Sequence, residues 1–212
     1  MIKRYYEHSF ETDIITPGGW GIDFGCGTDF LISKTMLDFG LKVLSVDPNP
    51  RITVVPNLPN LYYENVALVT DKTCTSVSFS MYNDTDAASI CIPKDDAGFL
   101  RKEQVVTVPA ASIDKIMRKY KIDQFEILKL DIEGAEYDFL MSIDGPIAKQ
   151  ISIEFHDFRG LNPKYPNNEE YYGELFNKLS PWYKVVKHDI ERHPGLAPPH
   201  CFNYWDSLLV LK

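Results

Sequence analysis

The feature that most constrains the fold is a short apolar strand that turns through two glycines into a helix. Residues 20–24 have the pattern of a strand, residues 25–29 (Gly-Cys-Gly-Thr-Asp) form the turn, and residues 30–39 carry apolar side chains near helical spacing. Residues 41–46 predict a second strand, which ends before the prolines at 48 and 50. A strand, a helix and a strand in this order predict a right-handed βαβ unit of a parallel sheet.

Alternating strand and helix patterns along the rest of the chain predict an α/β fold. Further strands are expected at residues 61–69, 76–81, 104–108, 125–131, 150–156, 183–189 and 207–211. Helices are expected at residues 112–120, 135–141 and 169–179. We therefore expect a mostly parallel sheet with helices on both faces, and we expect the last two strands to pair as an antiparallel hairpin at one edge.

Composition limits the class of protein and its partners. The 212 residues, of which 44% are hydrophobic and 25% charged, fit a single globular domain over residues 1–212. A net charge of -8 argues against nucleic acid or an anionic membrane as a partner bound through bulk charge. No apolar run approaches the roughly 20 residues of a membrane span. The four cysteines form no Cys-x-x-Cys pair and the first residues lack the apolar stretch of a signal peptide, so we expect a cytoplasmic protein with free thiols.

Two stretches fit regular structure poorly. Residues 82–102 are polar and broken, which predicts an excursion from the sheet that walls a pocket or contacts a second subunit. Residues 193–205 combine prolines and a glycine with aromatic side chains, which predicts a long loop. Such a loop serves either as a lid over an acceptor or as a simple surface connection.

The glycine turn and the acid after the second strand predict a binding site. Gly25 and Gly27 permit positive φ and leave no Cβ between the backbone and a ligand. Asp47 ends the second strand, where a carboxylate accepts hydrogen bonds from the two hydroxyls of a ribose; alternatively, it only caps the turn before Pro48. A nicotinamide-dependent oxidoreductase is one function that a glycine turn could indicate. Phe30, however, stands where a pyrophosphate-binding turn has its third glycine, which argues against that function.

Asp23 adds a second carboxylate beside the turn, inside the first strand. A charge there is costly unless it is paired, so we expect it to bond turn amides or a ligand ammonium group. Together these features indicate a ribose-bearing ligand with an amino-acid end and no pyrophosphate. S-adenosylmethionine fits this description.

Residues 127–136 (Ile-Leu-Lys-Leu-Asp-Ile-Glu-Gly-Ala-Glu) carry the most specific pattern, an apolar strand followed by acids, a glycine and a helix. This run resembles the signature of the FkbM-type S-adenosylmethionine-dependent methyltransferases, in which Lys-hydrophobic-Asp-hydrophobic-Glu-Gly-Ala-Glu marks the fourth strand. Further landmarks of that family follow in order at residues 22–27, 45–48, 112–114 and 151–156, so the resemblance spans roughly residues 20–158.

The resemblance implies a class I methyltransferase fold, a Rossmann-like three-layer sandwich, with S-adenosylmethionine as cofactor. It also implies methyl transfer to oxygen on a sugar or another small hydroxylated metabolite, with a catalytically silent module for protein contacts as a further alternative. By analogy the glycine turn holds the methionine end, Asp47 holds the ribose, and the end of the third strand lies against the adenine. The residues expected to contact the cofactor, from the motifs and the resemblance together, are Asp23, Gly25, Cys26, Gly27, Thr28, Asp47, Pro48, Asn65, Val66 and Asp131.

The chain departs from the family pattern at two of these positions. Cys26-Gly27-Thr28 replaces the more usual Ala-Asn-x-Gly turn, and Asp47 replaces the common Glu. Because an aspartate can also bridge a ribose, neither change removes the expected chemistry.

Four groups at the ends of two predicted strands form the candidate catalytic set. On extended strands Asp131 and Glu133 point to one side, as do Glu154 and His156, and neighbouring strands would bring all four to one carboxyl edge of the sheet. Carboxylates this close repel, which raises a pKa or recruits a cation. Methyl transfer to a hydroxyl needs a proton acceptor, for which His156 is the first candidate and Glu133 or Glu154 the alternative.

Plainer interpretations stand beside these roles. On these interpretations Asp131 only caps a helix and His156 only bonds a nearby loop. Glu136 is expected in a first helical turn because its charge interacts favourably with the helix dipole. A divalent metal shared by the four groups is chemically reasonable but is not predicted. The remaining histidines are expected on the surface or in loops: His8, His188, His193 and His200.

Overall fold

The computed structural model describes residues 1–82, 88–89, 102–157, 168–192 and 203–212. The strands are β1 (Ile2–Tyr5), β2 (His8–Glu11), β3 (Trp20–Phe24), β4 (Lys42–Val46), β5 (Leu61–Glu64), β6 (Ala67–Leu68), β7 (Ser76–Tyr82), β8 (Ala88–Ser89), β9 (Lys102–Ala111), β10 (Phe125–Leu130), β11 (Ala148–Asp157), β12 (Tyr183–Arg192) and β13 (Asn203–Leu211). The α-helices are α1 (Leu31–Asp38), α2 (Ile113–Tyr120), α3 (Glu136–Ser142) and α4 (Asn168–Leu179). In the described part of the chain, none of these helices is long and apolar enough to cross a membrane.

A seven-stranded sheet forms the centre of the fold, in the order β12-β13-β11-β10-β3-β4-β5. The five strands from β11 to β5 pair in parallel, while β13 pairs antiparallel with both β11 and β12. This confirms the predicted mostly parallel sheet with an antiparallel C-terminal hairpin, in the class I Rossmann-like arrangement. The chain leaves β3 toward β4 on one side and returns to β10 on the other, so a topological switch point lies at the carboxyl end of β3.

The two faces of the central sheet carry different layers, which confirms the predicted three-layer arrangement. Alternate residues such as Ile22 and Leu128 pack with apolar residues of α2, α3 and α4. Residues that point to the opposite face, such as Val43 and Ile127, pack with α1 and with Phe10 of β2. An N-terminal hairpin of β1 and β2, which the sequence analysis did not predict, therefore shares one outer layer with α1.

A second, smaller sheet replaces part of the predicted central sheet. The strand expected at residues 61–69 is two strands, because β5 pairs with β4 whereas β6 pairs with β9. The order of the small sheet is β6-β9-β7-β8, with β7 and β9 antiparallel, and it has its own apolar cluster around Phe79, Met81 and Val108. The departure from the central sheet therefore begins before residue 82.

The two predicted irregular stretches fall mostly outside the described residues. Of the predicted excursion at 82–102, the structure describes only the end of β7, the short β8 and the start of β9. Of the predicted loop at 193–205, residues 203–205 belong to β13, and the rest lies outside the described residues. The hairpin of β12 and β13 is thus longer than the sequence pattern predicted.

Candidate active site

The turn after β3 packs tightly between the ends of β4 and β10. Gly25 has a φ of +75°, and a Cβ atom on it would lie 1.7 Å from the carbonyl oxygen of Asp131. Its N–H donates to the carbonyl oxygen of Val46 at 2.9 Å. Only glycine fits between these strand ends. The strand ends that carry Asp47 and Asp131 therefore both contact the same turn.

Gly27, two residues further on, has room for a Cβ atom among the described residues. It has a φ of +62°, and the nearest atom to a Cβ there, among the described residues, is Oδ1 of Asp29 at 3.9 Å. Thr28 is exposed, whereas Cys26 is buried, and burial raises the pKa of its thiol. The accessible part of the turn is therefore residues 27–29, and at Gly27 the backbone can approach a ligand closely.

Asp47 is bound to the glycine turn through backbone amides. Its Oδ2 accepts a hydrogen bond from the Gly27 N–H at 3.0 Å, and its Oδ1 accepts one from the Asn49 N–H at 2.9 Å. Burial raises the pKa of this carboxyl, although the two N–H groups oppose the shift. A carboxylate has about four acceptor positions, so these two bonds leave capacity for the two hydroxyls of a ribose.

The end of β5 is held to the same loop. Asn65 donates from Nδ2 to the backbone oxygen of Asp47 at 2.9 Å, and the Tyr63 hydroxyl donates to that oxygen at 3.1 Å. Val66 is half-buried against the main core, and Pro48 is half-buried beside Asp47. The residues expected to contact ribose and adenine therefore form one continuous border at the ends of β4 and β5.

Asp23 and Lys129 form a buried ion pair beneath the turn. Asp23 is 0% exposed; its Oδ2 accepts a hydrogen bond from the Ser33 hydroxyl at 2.5 Å, and its Oδ1 lies 3.2 Å from the Lys129 ammonium. These partners take the place of the expected turn amides or ligand ammonium group. Lys129 also donates to the carbonyl oxygen of Gly25 at 2.6 Å and lies 3.2 Å from Oδ2 of Asp131.

Sequence reasoning did not assign Lys129 to the site. Burial alone would lower its pKa, but Asp131 and Asp23 together raise it above the usual value. The available signal was a lysine in the middle of an apolar strand, where a charge requires partners. Lys129 therefore links the glycine turn to the acids at the end of β10.

Three carboxylates surround His156 at the carboxyl edge of β10 and β11, and we call this group the acid ring. The imidazole Nε2 lies 3.5 Å from Glu133, 3.8 Å from Asp131 and 3.9 Å from Glu154. The structure thus brings together the four groups of the candidate catalytic set. It does so because β10 and β11 are parallel neighbours whose ends meet at one edge.

Glu136 holds both the imidazole and the loop that carries Glu133. It begins α3, as expected for a first helical turn, but its buried carboxylate turns back and lies 3.1 Å from Nδ1 of His156. Its Oε1 also accepts hydrogen bonds from the N–H groups of Ile132 at 2.9 Å and Gly134 at 3.1 Å. These bonds fix the residues on both sides of Glu133, whose φ of +55° is unusual for a residue other than glycine.

Electrostatic interactions stabilise the charged forms of His156 and Asp131. Burial alone would lower the pKa of His156, but Glu133 and Glu136 raise it well above the usual 6.5. Burial alone would raise the pKa of Asp131, but Lys129 and His156 hold it below its usual range. At neutral pH these contacts favour an imidazolium ion beside an ionised Asp131.

For the other two carboxyls of the acid ring, Glu133 and Glu154, the surroundings favour the neutral form. Burial raises the pKa of Glu133 to about 7, with a contribution from Asp131. Burial likewise raises the pKa of Glu154 to about 8, again with a contribution from Asp131. Groups with a pKa near neutrality can both accept and release protons. The acid ring therefore holds two carboxyls suited to proton transfer beside an imidazole that is already protonated.

His8 also belongs to this region, and the expectation that it lies on the surface or in a loop is wrong. It is only 3% exposed in β2, and its Nδ1 lies 3.1 Å from the Ser152 hydroxyl. Burial lowers the pKa of His8 to about 3, with a contribution from Lys129, so its imidazole is neutral. The side chain of His188 and the whole of His193 and His200 lie outside the described residues.

Among the residues that the structure describes, two sets of side chains are close enough to hold a metal ion. One consists of His8, Asp131 and Glu154, and the other of Asp131, Glu133 and His156; within each set the ligand atoms lie within 4.8 Å of one another. Both sets contain Asp131, at the end of β10.

Comparison with known proteins identifies a family. Residues 21–180 match the model described as the methyltransferase FkbM domain. Similar solved structures include a TehB-like S-adenosylmethionine-dependent methyltransferase from Corynebacterium glutamicum, with 12% identity, a TM-score of 0.45, and coverage of 94% of this chain and 84% of that one. The fibrillarin pre-rRNA processing protein of Methanococcus jannaschii has 10% identity, a TM-score of 0.48, and coverage of 100% and 70%.

A dimethyladenosine transferase from Plasmodium falciparum has 15% identity, a TM-score of 0.49, and coverage of 93% of this chain and 57% of that one. The chain also spans only 62% of the length of a matching Streptococcus thermophilus protein, so it covers less than two thirds of some of the proteins it resembles. A search of curated proteins found no matching sequence.

Proposed function

The chain belongs to the FkbM methyltransferase family, and from that premise we propose that it transfers a methyl group to a hydroxyl oxygen of a small metabolite, with a sugar as one candidate. The family uses S-adenosylmethionine, which supplies an electrophilic methyl group on its sulfonium when bound. The observation that carries the proposal is the contact of one glycine turn with Asp47 on one side and with the acid ring, through Asp131, on the other.

The residues of the turn fit this cofactor. The open backbone at Gly27 and Thr28 suits the methionine end, and the unused acceptor positions of Asp47 suit the ribose hydroxyls. Asn65 and Val66 border the place expected for adenine. A dinucleotide fits less well, because the fully buried ring of Phe30 packs edge-on against Tyr63 where a pyrophosphate-binding turn has glycine.

We assign proton acceptance to Glu133. Its side chain is 30% exposed, against 24% for Asp131, 12% for Glu154 and 4% for His156, so it is the member of the acid ring that an acceptor reaches most readily. An acceptor hydroxyl must lie in line with the methyl group and lose its proton as the new bond forms. His156 would then serve as a neighbouring positive charge rather than as the base.

The net charge supports a small acceptor rather than nucleic acid. The chain carries -8, and a ring of carboxylates borders the proposed acceptor position. Both features repel a phosphate backbone. They suit a hydroxylated metabolite, whose O–H groups donate hydrogen bonds to carboxylates.

Calorimetric titration with S-adenosylmethionine and with S-adenosylhomocysteine tests the cofactor site. The native protein should bind both, and Asp47→Ala should weaken binding by roughly tenfold or more because two charge-assisted hydrogen bonds are lost. Asp123→Ala, which removes an exposed aspartate, is the matched control and should bind normally. No heat of binding with the native protein would refute the proposal.

A metabolite screen by mass spectrometry tests the reaction. The product should be heavier than the acceptor by one methylene, and the new methyl group should reside on oxygen. Glu133→Gln should retain cofactor binding and lose roughly a hundredfold or more in turnover. Full turnover by this variant would remove Glu133 from the mechanism, and a methyl group on nitrogen would exclude the proposed acceptor atom.

A further inference from the structure

The N-terminal hairpin is fixed to the sheet beside the acid ring. The Gln150 side chain accepts a hydrogen bond from the Glu11 N–H at 2.8 Å and donates one to the Glu11 carbonyl oxygen at 3.1 Å. The Lys187 ammonium donates to the Ser9 hydroxyl at 2.9 Å. Both contacts involve residues of β2, the strand that begins at His8, so the fold sets the position of its imidazole.

One ring nitrogen of His8 has a hydrogen-bond partner, and the other can bind a ligand. Its Nδ1 is paired with Ser152 Oγ, while its Nε2 has no hydrogen-bond partner among the described residues. The side chain is 3% exposed, so the protein rather than solvent surrounds most of the ring. One ring nitrogen lies within 4.8 Å of a carboxylate oxygen of Asp131 and one of Glu154. An imidazole nitrogen together with carboxylate oxygens is a typical donor set for a divalent cation.

We propose that His8, Asp131 and Glu154 bind a divalent first-row transition cation such as Mn²⁺. A ring nitrogen of His8 and one oxygen from each carboxylate lie within 4.8 Å of one another. Ligand atoms around one such ion are separated by up to roughly 4–5 Å, because metal–ligand distances are roughly 2.0–2.5 Å. One imidazole with two carboxylates favours a transition metal over Ca²⁺, which takes oxygen ligands.

The surrounding contacts are those of a metal site. A ligating histidine usually has its other nitrogen held by a polar partner, which Ser152 supplies for His8. The carboxylate ligand Asp131 is in turn held by Lys129 at 3.2 Å. In the alternative set, both nitrogens of His156 already face carboxylates, because Nδ1 lies 3.1 Å from Glu136. His8 is therefore the better ligand.

This site goes beyond the matched family domain. That match begins at residue 21, whereas His8 belongs to the hairpin that precedes it. A cation there would lie next to Glu133, where it could bind the acceptor oxygen and stabilise its developing negative charge. The use of the ion in catalysis rests on the proposed function, but its binding does not.

Titration of the full chain with MnCl₂, followed by electron paramagnetic resonance, tests the site. The native protein should bind one Mn²⁺, and the bound ion should show nitrogen coupling from an imidazole. His8→Asn, Asp131→Asn and Glu154→Gln should each weaken binding by roughly tenfold or more. Asp144→Asn removes one negative charge at an exposed position and should bind Mn²⁺ normally.

Two results would overturn the proposal: no Mn²⁺ binding by the native protein, or binding with nitrogen coupling that His8→Asn leaves unchanged. If His8→Asn does not fold, as judged by circular dichroism, the nitrogen coupling of the native protein decides, since its absence excludes a histidine ligand. Calorimetry with S-adenosylhomocysteine separates this inference from the proposed function. Cofactor binding without Mn²⁺ binding refutes only the metal site, and Mn²⁺ binding without cofactor binding refutes only the proposed function.

Discussion

Replacing Lys129 by methionine should destabilise the protein by about 3–5 kcal/mol, because it leaves a buried carboxylate without its partner. Asp23 is 0% exposed and, within the described part of the chain, would keep only the Ser33 hydroxyl as a side-chain donor. Methionine preserves most of the volume of the lysine stem, so the loss reports charge rather than packing. Asp131 contributes less to the cost, since it is 24% exposed and keeps His156 at 3.8 Å.

Urea unfolding followed by circular dichroism measures this free energy. Lys149→Met is the matched control, because its ion pair with Glu126 at 2.8 Å involves a lysine that is 33% exposed and should contribute no more than about 1 kcal/mol. The double variant with Asp23→Asn and Lys129→Met should recover about 1–3 kcal/mol relative to Lys129→Met. Equal losses for Lys129→Met and Lys149→Met, or no recovery in the double variant, would refute the argument.

Three further predictions concern the glycine turn. Gly25→Ala should lower the free energy of unfolding in urea by about 2–5 kcal/mol, because its Cβ would lie 1.7 Å from the Asp131 carbonyl oxygen. Gly27→Ala makes only an ordinary contact, at 3.9 Å from Asp29, and should lower it by about 1–2 kcal/mol because of its positive φ. Equal losses would contradict this. Affinity for S-adenosylhomocysteine should fall as the pH is lowered, because a protonated Asp47 has less capacity to accept hydrogen bonds. Since the pKa of Asp47 is raised, the fall should begin at a higher pH than for an ordinary aspartate, whose pKa is 3.8. Calorimetry of Asp47→Asn should show weak binding that does not depend on pH. Iodoacetamide should label Cys26 roughly tenfold or more slowly than the half-buried Cys74, as measured by peptide mass spectrometry, because burial raises the pKa of the Cys26 thiol; equal rates would contradict its burial.

The acids at the carboxyl edge of the sheet were predictable because the end of a strand can be recognised from the local sequence. Asp47 and Asp131 each follow an apolar run directly, and the carboxyl ends of parallel strands must meet at one edge. The order β11-β10-β3-β4 then brings the glycine turn between the two acids. The same reasoning could not identify the partners of Asp23, because Lys129 and Ser33 reach it across the sheet and from α1.

The hairpin and the small sheet were not predictable from local patterns. In β1 three of the four side chains are exposed, and β2 buries a histidine and a serine beside Phe10, so neither strand shows an apolar alternation. Residues 61–69 form a continuous strand-like run, and the break between β5 and β6 depends on a partner, β9, that is distant in sequence. Tertiary pairing therefore determined these elements, as is usual for short strands.

Direct contacts join the proposed cofactor position to the proposed acceptor position, so the two positions should move together. Lys129 donates to the carbonyl oxygen of Gly25 while pairing with Asp131, and the Asp131 carbonyl leaves no room for a side chain on Gly25. A shift of the glycine turn therefore has to move Asp131, whose carboxylate lies 3.8 Å from the imidazole of His156. In-line methyl transfer loses rate steeply when the reacting atoms are misplaced by about 1 Å. Lys129 is consequently a structural reason why the distance between the proposed cofactor position and the acid ring can be held constant.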